Sequence, residues 1–381
     1  MELKNKKVSL ILLLIILIIS IALRLPNLLD KERGTDEIIT VRNAEGLKNS
    51  NFALTNYDKN FPNDTNPPLF YILLALSLFI FNSVLTMKIF VVIISLLSII
   101  SIYFLTMKIF NEKYAIITTF IYSLNPMHII YSQHLRPYIF LFLLFNLAIY
   151  FLYKFIIKKD NKALIYLTLI FLISFYTHYY ALLFIAGAGF TTLIFYLLKK
   201  GIDIKKYIIV NLIFLILAIP GFILLKLQLG YHLNQQTIST ITLKIIPYPL
   251  YKFSVMVDLS TSIKLFPYLI VLFPLILGLV IYGIIRMYKA NKDNSIFLFS
   301  MFSVPYTILS IAGLIKAVHS FRYLTLLLPI YIIFLVYGLL NIKNKKLKWL
   351  LFLIIILGWI IVILYYYSIS TTYQWPKHIA I

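Results

Sequence analysis

Cysteine is absent from the 381 residues, which rules out a disulfide framework and thiol chemistry. Charge is scarce as well: only 13% of residues are Asp, Glu, Lys or Arg, about half the share of an ordinary soluble domain. Acids are the scarcer sign, 13 against 35 Lys and Arg, for a net charge of +22. No period of 20 to 50 residues recurs, which excludes a solenoid or repeat array. The chain is instead 61% hydrophobic with a mean hydropathy of +0.93. Apolar runs follow one another along its whole length, separated by short polar knots, and each is long enough, or nearly so, to cross a hydrocarbon core of about 30 Å. Helices apolar on every side need lipid as their solvent, so the fold class is an all-α polytopic membrane protein.

The positive charge lies in knots rather than on a face. Lys4–Lys7, Lys108–Lys113, Lys154–Lys162, Lys199–Lys206, Arg286–Lys292 and Lys343–Lys348 together hold 20 Lys/Arg, and with Glu2 and Asp293 at their edges that side of the chain has five acids. Lysine-rich short loops sit beside an anionic cytoplasmic leaflet, which excludes nucleic acid as a partner and puts the N-terminus inside. Met1–Lys7 followed by Val8–Leu23 resembles a signal peptide without a small-residue cleavage site, and reads as a retained first span. With all six knots on one side, the chain crosses an even number of times before Lys108. Three apolar runs precede it, so one does not span; the shortest, Pro67–Phe81, opens on Pro-Pro and is expected to lie along or dip into the outer leaflet. About 11 transmembrane helices remain (8–23, 89–107, 114–130, 138–156, 163–177, 179–198, 207–227, 265–285, 296–315, 321–340 and 349–367). Residues 1–381 read as one transmembrane domain, with an outer catalytic loop at 24–88 that carries juxtamembrane segments and a second outer loop at 228–264.

Seven of the thirteen acids fall in 24–66: Asp30, Glu32, Asp36, Glu37, Glu45, Asp58 and Asp64. Asp36 and Glu37 follow Thr35 at a helix start, where acids either complement the helix dipole or are held as a general base or metal ligands. Asp64-Thr65-Asn66-Pro67-Pro68 is a loop-to-helix junction at the rim of an apolar segment. Arg136, in Tyr131-Ser132-Gln133-His134-Leu135-Arg136-Pro137-Tyr138, either snorkels to headgroups or binds phosphate through its planar fork. Thr177-His178-Tyr179 marks a turn whose histidine is either a packed helix-end residue or a ligand. Arg322-Tyr323 opens a late helix containing Pro329.

In this joint order the motifs resemble the GT-C superfamily. The similarity is greatest to the branch that holds dolichyl-phosphate-mannose protein mannosyltransferases and lipid A aminoarabinose transferases. Its pattern pairs an Asp-Glu in the first outer loop with an acid-x-His-Pro-Pro-Leu-Tyr-Tyr stretch. A Tyr-Ser-Gln-Glu-x-Arg-x-Tyr motif, a Thr-His-Tyr turn and a late Arg-Tyr follow. Asn66 stands where the family has His, and His134 where it has an acid. The resemblance implies a GT-C fold and inverting transfer of a sugar, mannose or another hexose or pentose. The donor would be a polyprenyl (dolichyl) monophosphate, the acceptor a protein or glycolipid hydroxyl on the outer face. It implies Asp36 as catalytic base, Arg136 and Arg322 as donor-phosphate ligands, and Glu37, Asp64, Asn66, Gln133, His134, His178, Tyr179 and Tyr323 as substrate contacts. No cofactor is required; a divalent cation, Mg or Mn, would take Asp36 and Glu37 as oxygen ligands. Membrane lipids are the remaining partner. A polytopic transporter or lipid-linked sugar flippase is the alternative, and it calls for ionisable groups or paired helix breaks near mid-membrane. The spans here carry almost no charge at their centres.

Overall fold

The computed structural model describes residues 2–29, 34–53, 66–232, 246–256, 266–315 and 321–368. Among these residues every regular element is helical. In chain order they are α1 (Glu2–Ala22), α2 (Gly34–Asn49), α3 (Leu69–Ser77), α4 (Val84–Ile109), α5 (Glu112–Leu124), α6 (Pro126–Tyr131), α7 (Tyr138–Ile156) and α8 (Ala163–Thr177). There follow α9 (Ala181–Leu197), α10 (Ile204–His232), α11 (Pro247–Val255), α12 (Phe266–Ala290), α13 (Lys292–Ile315), a 3-10 helix at Phe321–Leu327, α14 (Leu328–Leu340) and α15 (Lys345–Ser368).

Among the described residues seven helical segments are long and apolar enough to cross a bilayer, and three shorter apolar helices cover Lys7–Ala22, Ala163–Thr177 and Ala181–Leu197. The expected span at 114–130 is divided. Asn125 takes extended backbone because the residue before a proline is pushed out of the α region. Its Oδ1 then accepts from the N–H groups of Met127 and His128, so the residue that ends α5 also caps α6. In the Pro67–Phe81 run, α3 has nine residues, roughly 14 Å of helix and less than half the thickness of a hydrocarbon core. Lys48 of α2 donates to the Leu78 carbonyl at the end of α3 (3.1 Å) and to Asn82 (2.9 Å). Leu76, Phe79, Ile80 and Phe81 stay exposed, as a lipid-dipping segment requires.

The chain divides by its internal packing into two compact units, where the sequence reading treats 1–381 as one domain. One unit comprises Met1–Pro26, Leu96–Ile130 and Ile241–Ile369; the other comprises Asn27–Ser95, Tyr131–Thr240 and Ser370–Ile381. The first is built around α14, whose residues from Leu328 to Val336 are all buried. It meets α12 backbone to backbone. A Cβ added to Gly338 would lie 2.1 Å from the Leu279 carbonyl oxygen, and one on Gly283 would lie 2.0 Å from that of Phe334. In lipid such small-residue crossings let dispersion contacts hold helices together without hydrophobic collapse. In the second unit α7 and α10 pack on α8, while α2 packs on α3.

Gly338→Ala should therefore lower the unfolding temperature, with about 1–3 kcal/mol of overpacking cost as the guide. Gly278→Ala, where a new Cβ meets nothing within 4 Å, should leave it unchanged or slightly raised. Thermal unfolding of both variants in detergent measures the contrast.

Candidate functional site

The second unit gathers most of the motifs singled out in the sequence. Glu37, in the first turn of α2, is buried and faces Lys88 of α4, which is 1% exposed. The Lys88 ammonium donates to both carboxylate oxygens, at 2.9 and 3.2 Å, and to the Gln133 carbonyl at 2.8 Å. Glu37 also accepts from the Leu135 N–H. One buried ion pair thus holds the backbone of the Tyr131–Tyr138 motif on both sides of His134. Taking both charges out of water is costly, and dense hydrogen bonding is what makes such a pair tolerable.

Arg136 is joined to the same helix one residue earlier. Its Nη1 donates to the Asp36 carbonyl and to Thr40 Oγ1, both at 3.2 Å, and the Thr40 hydroxyl itself donates to the Asp36 carbonyl at 2.9 Å. Asp36 and Arg136, 100 residues apart in sequence, are therefore neighbours, and both are half-buried. Tyr131 packs edge-on against His134 and against Tyr138.

The Thr-His-Tyr turn joins this group. The His178 ring lies 5.9 Å from the Tyr138 ring, and its Nδ1 accepts from the Tyr180 N–H at 3.2 Å. Nδ1 as acceptor leaves the proton on Nε2 in the neutral ring. Burial and the positive charge of Arg136 push the His178 pKa from 6.5 down to about 3. The Tyr179 hydroxyl donates to Gln228 Oε1 at 3.0 Å, and Gln228 Nε2 reaches the Asn66 carbonyl at 3.5 Å. Asn66 is buried and its Nδ2 donates to Tyr71 at 3.3 Å.

Asp36, Glu37, Asn66, Gln133, His134, Arg136, His178 and Tyr179 thus all fall in one unit. Asp64 and Thr65 lie outside the described residues, and so does most of the 228–264 loop. Arg322 and Tyr323 belong to the other unit, where the Arg322 carbonyl accepts from the Thr325 hydroxyl at 2.7 Å. A divalent cation at Asp36 and Glu37 would have to displace the Lys88 ammonium. Among the described residues no group of three or more His, Cys, Asp or Glu could hold one.

Lys88 and Gln228 were not singled out in the sequence. Lys88 is the one charge in the first twenty residues of α4, and an ammonium at the start of an otherwise apolar helix was a signal that it has a buried partner. Gln228 gives no comparable signal, since it ends an apolar run where polar residues are common.

Residues 65–223 match the model of the dolichyl-phosphate-mannose-protein mannosyltransferase family. By structure, the chain is similar to ArnT from Cupriavidus metallidurans in the apo state, with a TM-score of 0.61 at 12% identity. That likeness covers 91% of this chain and 61% of ArnT. The fold is that of the GT-C glycosyltransferases. The same ArnT bound to undecaprenyl phosphate matches with a TM-score of 0.59, again at 12% identity, over 89% of this chain and 61% of ArnT. The Archaeoglobus fulgidus oligosaccharyltransferase in complex with Zn and sulfate matches with a TM-score of 0.61 at 15% identity, over 95% of this chain and 54% of its own. The chain thus spans about six-tenths of ArnT and just over half of the oligosaccharyltransferase. No curated relative matches it by sequence.

Two outcomes test this geometry. Glu37→Gln or Lys88→Met alone strands a buried charge and should cost roughly 3–5 kcal/mol. The double variant should be less damaging than the two singles added together, as a double-mutant cycle on unfolding in detergent would reveal. For His178, a folded-state pKa below the unfolded one means full stabilisation above pH 6.5, declining as the pH falls towards about 3. The stability difference between wild type and His178→Gln should shrink over that window when unfolding temperatures are compared across pH.

Proposed function

We propose that the protein is a membrane-embedded, inverting glycosyltransferase that uses a polyprenyl-phosphate sugar donor, with the Asp36–Arg136 neighbourhood as its reacting centre. The observation that carries this reading is the direct bond from the Arg136 guanidinium to the Asp36 carbonyl, which holds a candidate base and a candidate phosphate ligand within one another's reach. The GT-C fold and the family match over 65–223, which includes Asn66, Arg136 and His178, support it.

The acceptor hydroxyl oxygen attacks the anomeric carbon, and the bond from that carbon to the phosphate oxygen breaks with its electron pair going to the phosphate. Asp36 takes the acceptor's proton as the new glycosidic bond forms. Negative charge grows on the departing phosphate, and Arg136 is the group of this unit suited to stabilise it, because a guanidinium presents two parallel donors to two oxygens. His178, neutral beside that guanidinium, does not add a competing positive charge. Glu37 and Lys88 act as positioning residues: they fix the turn from which Arg136 projects. The acceptor is a hydroxyl of a protein or of a lipid-linked glycan on the outer face, and Arg322 is a further donor-phosphate ligand to be tested alone.

Purified protein incubated with radiolabelled polyprenyl-phosphate sugars in nanodiscs should release polyprenyl phosphate. Asp36→Asn should reduce turnover by a factor of about 10² or more while leaving the unfolding temperature unchanged. Arg136→Lys keeps the charge but loses the fork, and should weaken donor binding more than a neutral substitution such as Asn43→Ser. Normal turnover in Asp36→Asn would remove it as the base.

A further inference from the structure

The other unit carries a cavity of about 440 Å³ that the proposed chemistry does not use. Its walls are the middle of α1, the first two turns of α5, the end of α14 and the first two turns of α15. Ile15, Phe120 and Trp349 represent an almost wholly apolar lining, and Lys113, Lys345 and Lys348 are its charged members. No acidic residue lines it; Glu112 precedes Lys113 in α5 without joining the wall.

The charge sits at one end. Lys113 and Lys345 lie in the first turns of α5 and α15, and the lining reaches seven residues further along each helix, to Phe120 and Phe352. That is about 10 Å of apolar wall beyond the ammonium groups. The Tyr367 hydroxyl near the end of α15 donates to the Leu23 carbonyl just past α1. Lys348 is partly anchored, donating to the Leu340 carbonyl at the end of α14 at 2.7 Å, and an ammonium has two further protons to offer. Trp349, 59% exposed beside the lysines, is the amphipathic ring expected at headgroup depth.

We propose that this cleft is a binding site for an anionic glycerophospholipid of the leaflet facing the lysine-rich loops. The headgroup phosphate would be held by Lys113, Lys345 and Lys348, with the upper part of one acyl chain against Ile15 and Phe120. Three cations in a lining without a carboxylate match a phosphate diester, and basic clefts between spans on the lysine-rich side favour anionic headgroups. An apolar wall with its ammonium groups at one end suits an acyl chain along the wall and a headgroup at the rim. The site is independent of the sugar-transfer reading, since none of its residues belongs to the Asp36–Arg136 unit.

The full chain is purified in mild detergent and titrated with phosphatidylglycerol or phosphatidylcholine, with bound lipid read by native mass spectrometry and stability by unfolding temperature. Phosphatidylglycerol should be retained and raise the unfolding temperature more than phosphatidylcholine. Lys113→Gln, Lys345→Gln and Lys348→Gln combined should weaken retention about tenfold or more. Lys289→Gln with Lys292→Gln, which removes two exposed lysines at another basic knot, should not. Ile15→Trp fills the cleft with the lysines intact and should also displace the lipid, so a triple variant that fails to fold does not decide the matter. Equal retention by wild type, Ile15→Trp and the lysine variant overturns the proposal. So does equal stabilisation by both lipids, and so does displacement of phosphatidylglycerol by polyprenyl phosphate, which would make the cleft a donor site.

Discussion

The buried pair between Glu37 and Lys88 is the constraint on which the candidate site depends. Two charges at 1% and 3% side-chain exposure have little water to fall back on, so each must be satisfied by protein. The way they are satisfied is informative. Beyond each other, their partners include the Gln133 carbonyl and the Leu135 N–H, two backbone groups of a single turn. The pair therefore fixes that turn against α2 and α4 through the main chain. Arg136 follows immediately and is fixed in turn by the Asp36 carbonyl and Thr40. A local sequence feature, two adjacent acids at a helix start, becomes a division of labour: the buried Glu37 carboxylate pairs with Lys88, and the half-buried Asp36 receives Arg136 at its carbonyl.

Much of this was legible in the sequence, and for physical reasons. The polytopic class follows from apolar length alone. The parity of lysine-bearing loops required one of the first three apolar runs not to cross, its length and Pro-Pro start picked out 67–81, and the nine-residue α3, capped by Lys48, is too short to cross as one helix. Motif order gave the GT-C resemblance before any packing was known. The break at Asn125 was equally available, since Asn-Pro inside an apolar run disfavours helix, yet hydropathy averages over it and yields one span where the chain makes two helices.

What the sequence could not supply was long-range pairing. Lys88 lies at the polar edge of its run and reads as one more loop cation; only the fold brings it within 2.9 Å of a carboxylate 51 residues away. Gln228 is hidden for a related reason, because its amide is useful only where Tyr179 and Asn66 converge on it. Nor does spacing distinguish the roles of Asp36 and Glu37. Their order along one helical turn does, once the partner helix is known.

The departure at position 134 can be understood on the same terms. The GT-C pattern has an acid there, and this chain has histidine, half-buried and edge-on to Tyr131. If the motif were held in place through that side chain, the change would dismantle it. It is held instead by the carbonyl before and the N–H after, which any residue at 134 leaves intact. These two bonds anchor the turn, and with it the station of Arg136, without involving the side chain at 134. The same logic applies at Asn66, where the family has histidine: its main-chain carbonyl meets Gln228 while its side chain turns to Tyr71. Both departures fall where main-chain contacts help to hold the motif, so the backbone bonds seen at these positions do not depend on which side chain stands there.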